Sequence, residues 1–396
     1  MVEWKKLADL CEVKGRIGFR GYTREDQVEK GDGALSLSPG NIVDDVLDYN
    51  SCTYITWDKY EESPEIMVSE GDIILCKTAS VGKVARIHEL PQKATINPQL
   101  VLLKNIKINP QYLFYVLADA PFQSRIKRLA GVGSVPNVSQ AKLSSIELPI
   151  PSLSEQQRIV GILDTFTASI DNLKAQIAQR RKQYEYYRDQ LLDLEGKEGV
   201  EMKTLGEVLI SLKTGLNPRK NFVLNSPESK NFYITVRELG MFNVKPIDKT
   251  DKVSDDALKL INNRSNLEEG DVLFSGTGTI GRTALVMDKP KNWNIKEGVY
   301  SLKPRKECIN SSFLVQLLHT NSIIDKISAL VVGDPIRSIP MKSLVSVIIP
   351  VPSLSDQHRI VSILDTFEAS ISNLEAQLKQ REQQYEYYRN KLLTFE

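Results

Sequence analysis

Residues 149–192 read PIPSLSEQQRIVGILDTFTASIDNLKAQIAQRRKQYEYYRDQLL, and residues 350–393 read PVPSLSDQHRIVSILDTFEASISNLEAQLKQREQQYEYYRNKLL. The two stretches align without a gap at an offset of 201, and 31 of the 44 positions are identical. Two unrelated charged helices would not keep ILDTF and YEYYR whole, so one unit is written twice.

Both copies have the period of a coiled coil. Ile159, Leu163, Phe166, Ile170, Leu173, Ile177, Arg180, Tyr184, Tyr187 and Leu191 alternate steps of four and three. The second copy gives Ile360, Leu364, Phe367, Ile371, Leu374, Leu378, Arg381, Tyr385, Tyr388 and Leu392. This is a seam of about five heptads, interrupted once in each copy by an arginine. Ser154 with Gln157, and Ser355 in the second copy, read as helix caps after an extended proline entry. Val160 and Ile162 widen the stripe near the start, which predicts packing of that end on a globular domain. The first helix should stop before the polar linker Gly196-Lys197-Glu198-Gly199. Each helix then runs about 39 residues, or roughly 58 Å. The simplest burial of both seams is against each other, antiparallel, with a globular domain at each end and the pair as a spacer.

Upstream of each copy the likeness is loose. WKKLADL at 4–10 answers MKTLGEV at 202–208, EGDIIL at 70–75 answers EGDVLF at 269–274, and Gly82 answers Gly281. The helices stayed alike while the domains diverged, so the helices meet one demand and the domains two different ones. The expected organisation is a domain at 1–150, a helix at 151–196, a second domain at 197–351 and a second helix at 352–396. Short runs at 73–75, 100–103 and 300–302 read as strands, with one amphipathic helix per domain near 111–118 and 312–319. The class is α+β.

Composition bounds the rest. Hydrophobic residues are 41% and charged residues 26%, the balance of a soluble globular chain. Its apolar runs are too short for a membrane span, and MVEWKK has no secretory core. Cys11, Cys52, Cys76 and Cys308 are scattered without a CxxC pair, which fits a reduced cytoplasm. Net charge is only +1, low for a free-standing DNA binder. Either the basic residues share one face, or partner subunits supply most phosphate contacts.

Several motifs invite an enzymatic reading. Gly276-Thr277-Gly278-Thr279-Ile280-Gly281 matches GxGxxG, approximates a phosphate loop with Arg282 in place of lysine, and brings to mind a methyltransferase cofactor loop. A nucleotide site requires a helix next, whose N-terminus holds the phosphates. TALVMD follows instead and reads as a strand, so the loop is a strand–turn–strand element. It suits DNA contact or is a plain hairpin turn. The corresponding loop at 77–83 keeps only its last glycine. Asn97-Pro98-Gln99 and Asn217-Pro218-Arg219 lack the second proline and aromatic of an adenine-methyltransferase motif. His88, His319 and His358 stand alone, and Glu228-Ser229-Lys230 is not completed into a nuclease motif. No catalytic constellation emerges, and no cofactor is expected on this chain.

Basic loops are the better signal. Lys14, Arg16, Arg20 and Arg24 lie among glycines with Phe19 and Tyr22 interleaved, and Lys213, Arg219 and Lys220 occupy the corresponding stretch. With Lys77, Thr78, Ser80, Lys83, Ser134 and Asn137, and with Thr277, Thr279, Arg282 and Arg337, they form the candidate DNA-contacting set. For any one of them, a solvated surface position is the competing reading.

The double PxPSLS[ED]Q…RIV…ILD pattern, each copy behind a diverged domain, resembles the specificity subunit of type I restriction–modification systems over essentially the whole chain. The GxGS…PN stretch at 131–137 also fits, while Gly333-Asp334-Pro335-Ile336-Arg337 departs from it. The resemblance implies two target-recognition domains, each reading half of a split, asymmetric site in double-stranded DNA. It implies helices that set the spacing and dock two methyltransferase subunits, joined by endonuclease/translocase subunits. AdoMet, ATP and magnesium would belong to those partners. The competing reading is a non-DNA scaffold whose coiled coil is the functional part and whose domains bind proteins; near-neutral charge favours it.

Overall fold

The computed structural model describes residues 2–17, 21–131, 135–219, 221–333 and 335–395. The chain divides into two compact units, Met1–Lys174 with Ala376–Glu396, and Ala175–Glu375. Two 40-residue helices, Leu153–Leu192 and Leu354–Leu393, each contribute one half to each unit.

In the first unit an antiparallel sheet runs in the order Glu12–Lys14, Leu100–Lys104, Ile73–Cys76, Val84–Arg86. The two central strands are apolar runs buried on both faces, and their alternation divides them between two cores. Ile73, Leu75, Val101 and Leu103 face the helices. Ile74, Cys76, Leu100 and Leu102 face a second sheet. That sheet is Ala94–Ile96, Ala34–Leu37, Thr53–Ile55, Gln27–Val28, with its first pair parallel. Glu3–Lys6 pairs with Glu147–Ile150 and leads into the first long helix.

The second unit repeats the first sheet strand for strand: Leu209–Thr214, Val299–Pro304, Val272–Ser275, Thr283–Leu285. Glu201–Thr204 pairs with Ile348–Val351 as its counterpart does. The EGD landmark is also scaffold. Asp72 accepts from the Ser69 amide (2.9 Å) and Asp271 from the Glu268 amide (3.0 Å), and burial raises both carboxyl pKa values. The second sheet differs. Here Trp293–Ile295 lies parallel to Asn231–Ile234, which pairs with Lys252–Val253, and the helix Asp255–Ser265 packs Leu258 and Ile261 with Tyr233 and Val253.

The strands and helices expected from the sequence are present, with two corrections. Each domain has a second helix behind the expected one: Pro110–Ala118 is followed by Ala120–Ala130, and Ser311–Leu318 by Asn321–Ser328. One extended residue, Asp119 or Thr320, breaks the direction, and no glycine marks the break. The helix caps lie two residues earlier than expected. Ser152 accepts from the Glu155 amide, and Ser353 from the Asp356 amide at 3.2 Å, because Leu153 and Leu354 are already helical.

Behind each cap sits a buried glutamine. Gln156 accepts from the Asn109 amide (3.0 Å) and donates to the Pro151 carbonyl (2.9 Å). Gln357 accepts from the Asn310 amide (2.8 Å) and donates to Pro352 and Cys308 carbonyls. Asn109 and Asn310 cap the helices Pro110–Ala118 and Ser311–Leu318, so each glutamine ties a long helix to the start of a helix of its own domain.

The long helices pair antiparallel within each unit. In the first, Phe166 stacks on Tyr388 (centroids 5.3 Å apart) and packs tilted on Tyr385. The guanidinium of Arg381, which interrupts the seam, lies 5.7 Å over the Phe166 ring, a favourable cation–π position. In the second, Tyr187 stacks on Phe367 at 5.4 Å, Arg181 pairs with Glu375, and Tyr184 reaches Gln316 and Glu368. Ile159, Leu163, Ile170, Ile177 and Leu364 are buried, whereas Leu173, Ile371, Leu374 and Leu378 are only half-buried, as expected for a seam covered by a single partner helix.

Replacing Gln357 by leucine strands the Asn310 amide and two carbonyls. An unsatisfied buried polar group costs about 1–3 kcal/mol, so chemical denaturation of Gln357→Leu should show a loss of at least that size. The same change at exposed Gln190 should have little effect.

Candidate nucleic-acid interface

The GxGxxG stretch is the turn of a β-hairpin. Val272–Ser275 and Thr283–Leu285 are antiparallel neighbours, and no helix follows the loop. Each glycine has a local packing or backbone reason. A Cβ on Gly276 would lie 2.2 Å from the Tyr300 ring, whose hydroxyl donates to the Ile339 carbonyl (2.8 Å). Gly278 and Gly281 have φ of +77° and +91°, a region that glycine enters without steric cost. Ile73–Cys76 and Val84–Arg86 form the matching hairpin in the first unit.

Each hairpin loop is held by a later segment. In the first unit Thr78 donates to the Asn137 side chain (2.8 Å), the Ala79 amide to the Pro136 carbonyl and the Val138 amide to the Lys77 carbonyl. In the second, Thr277 bridges Ser338, the Gly278 amide donates to the Arg337 carbonyl and the Ile339 amide to the Gly276 carbonyl. Pro136 and Arg337, like Asn137 and Ser338, are related by the 201-residue offset of the helices. Arg337, at the end of the stretch that departs from the sequence pattern, therefore occupies the same structural place as Pro136. Its backbone makes the contacts, so the side chains were free to change; the offset was the signal available in the sequence.

The candidate residues fall into three groups. Thr78 and Asn137, with Thr277 and Arg337, are brought together at the hairpins. Ser80, Arg24, Thr279, Arg219 and Arg282 are exposed, and Lys77 and Lys213 are half-buried. Others have internal partners. Arg16 is 5% exposed, donates to the Ile96 carbonyl and Thr95 hydroxyl, and lies over the Tyr22 ring; burial lowers its pKa. Lys83 donates to the Pro39 and Ile42 carbonyls, tying the hairpin to the turn that follows Ala34–Leu37, and Lys14 pairs with Glu12. Arg20, Ser134 and Lys220 lie outside the described residues. Among the described residues no group of three or more His, Cys, Asp and Glu can hold a metal ion, and no helix is long and apolar enough to cross a membrane. The four cysteines are free.

Two loop-bearing domains built on one scaffold, each followed by a copy of the same helix, are matched by a known sequence profile. The profile of the type I restriction modification DNA specificity domain matches residues 1–180 and again 197–382. The chain belongs to this family. It is 30% identical over 305 residues to a putative type I restriction enzyme specificity subunit of Haemophilus influenzae, covering 73% of each chain. It is 31% identical to the EcoR124I/EcoR124II specificity subunit of Escherichia coli, covering 66% of this chain and 65% of that one. Among solved structures, a chain from a study of type I restriction–modification complex assembly and conformational transition superposes with a TM-score of 0.64 at 18% identity, covering 99% of this chain and 97% of its own. The type I S subunit of M. genitalium does so at 0.56 and 17%, covering 100% and 97%. The specificity subunit is a non-catalytic subunit of a type I restriction enzyme, carrying target-recognition domains.

Two predictions test this structure. Gly276→Ala drives a methyl group into Tyr300, and overpacking of this kind costs about 1–3 kcal/mol. Thermal unfolding should show that loss, with Tyr300→Ala relieving part of it. The second concerns His319, whose Nε2 lies 2.8 Å from the Thr283 hydroxyl and whose pKa burial lowers to about 4. Below the ordinary value near 6.5 the unfolded chain takes up a proton that the folded chain refuses. Stability should therefore fall as pH drops from about 6.5 to about 4, by about 3 kcal/mol in all, and level off below. Urea titrations across this range should lose that dependence in His319→Gln.

Proposed function

We propose that each globular domain reads one half of a split, asymmetric site in double-stranded DNA, and that the two long helices carry the spacing and dock the partner subunits. The observation that carries this reading is the repeated sheet and clamped hairpin against two dissimilar second sheets. One framework presents two different surfaces, as a reader of two different half-sites requires. The repeated helices, identical at 31 of 44 positions, suit partners that bind in two like copies, namely two methyltransferase subunits, with endonuclease/translocase subunits added. AdoMet, ATP and magnesium act on those partners, in the cytoplasm. Exposed Arg24, Ser80, Thr279, Arg282 and Arg337, with Lys77, Thr78, Asn137, Lys213, Arg219 and Thr277, are the contact candidates, and Arg16 and Lys83 act by shaping the loops.

Sequencing the methylated bases of cells that carry the complex should return a bipartite motif with an unread gap. On that site Lys77→Ala should weaken binding through the first half-site and Arg282→Ala through the second. Each should lower the salt slope of log affinity by about one unit, the signature of a lost phosphate contact. Binding that is unchanged in both variants would return the hairpins to a purely structural role.

A further inference from the structure

The two hairpins share a clamp but differ in what stands behind them. In the first unit Gln123, on the helix Ala120–Ala130, donates to the carbonyls of Gly82 (2.8 Å) and Leu117 (2.7 Å). A Cβ on Gly82 would lie 2.3 Å from its Oε1, so the glutamine fills the space beside the loop. The position 201 residues later is Ile324, on the helix Asn321–Ser328, 41% exposed and unable to donate a hydrogen bond. A Cβ on Gly281, the counterpart of Gly82, would meet nothing within 4 Å.

The second hairpin is therefore flanked by an open recess of about 440 Å³. Loop residues Gly278–Arg282 line one side, Ile324, Ile327 and Ser328 line another, and Arg337 joins them from the clamping segment. Among the described residues no aspartate or glutamate lines it. Among the described residues the Arg282 guanidinium makes one long contact, 3.5 Å to the Val236 carbonyl, and the residue is exposed. Two arginines, hydroxyls of Thr279 and Ser328, a glycine-opened backbone and apolar isoleucines have the chemistry of a phosphate-ester site. Planar guanidinium groups match phosphate oxygens in pairs. The volume lies within the range of sites that take a small organic ligand, so there is room for a sugar with its phosphate.

We propose that this recess receives a phosphodiester of bound DNA, held by Arg282 and Arg337, and that the first unit has no equivalent because Gln123 occupies its place. The inference rests on the DNA-reading function above and adds an asymmetry to it: the two half-sites are gripped differently.

The test uses the full chain assembled with its methyltransferase subunits on a duplex carrying the methylated site. Phosphodiesters are replaced one at a time by neutral methylphosphonates, and affinity is measured by fluorescence anisotropy. In the wild type one linkage in the second half-site should cost roughly tenfold in affinity, the scale of one hydrogen bond to a charged group. That linkage should lose its effect in Arg337→Ala. It should also lose it in Ile324→Gln, which places a glutamine where the first unit has one. Linkages in the first half-site should respond alike in all three proteins. If every sensitive linkage stays equally sensitive in both variants, the recess holds no phosphodiester. A wild-type complex that binds no duplex would sink the DNA-reading function itself, a separable outcome. Inorganic phosphate bound equally well with and without saturating duplex, and lost in Arg337→Ala, would reassign the recess to a free phosphate ligand.

Discussion

The structure depends on one constraint: neither domain closes its own core. In the first unit Leu393 is buried among Leu7, Phe122 and Leu148, with Phe395 packed against them, although these residues come from opposite ends of the chain. In the second, Tyr184, Leu192 and Leu194 enter the core built by Leu205, Leu314 and Ile349. A buried aliphatic side chain is worth roughly 1.5–3 kcal/mol. The stacking of Phe166 on Tyr388 and of Tyr187 on Phe367 fixes the register at which these ends arrive. The helices are thus structural parts of both domains as well as a link between them.

This constraint explains which positions kept their identity. Residues that join helix to domain are held at each end by a specific partner: Gln156 and Gln357, Ser152 and Ser353, and the seam aromatics. Central strands need only apolar residues of suitable volume, so Ile73-Ile74-Leu75 and Val272-Leu273-Phe274 differ while filling the same two cores. The second sheet touches the rest mainly through its inner face, and there the two halves share little.

The repeated helices, their period and their antiparallel pairing were legible because each seam residue recurs at a fixed spacing. The hairpin was legible because TALVMD has strand composition where a nucleotide fold needs a helix. The second helix of the second domain was hidden, since Thr320 breaks the helix by backbone angle alone; in the first domain Pro121, in the opening turn of Ala120–Ala130, was the available signal. The burial of Arg16 and the tethering of Lys83 were equally hidden. An arginine or lysine in a glycine-rich loop has the same sequence appearance whether it faces water or reaches a carbonyl 80 or 41 residues away. The arginine in the second seam read as an interruption, but the ring that receives it lies on the other helix.

The discontinuity of the first unit has a consequence for synthesis. Residues 175–375 form a continuous stretch, whereas the first unit needs its last twenty-one residues, 376–396, to complete its core. A chain emerging from the ribosome N-terminus first can assemble the second unit before the first, the reverse of the usual order. Until Leu393 arrives, the apolar face around Leu7, Phe122 and Leu148 stays open to solvent. Of the two units, the one synthesised first is therefore finished last, and until then its open core face is exposed to aggregation and proteolysis.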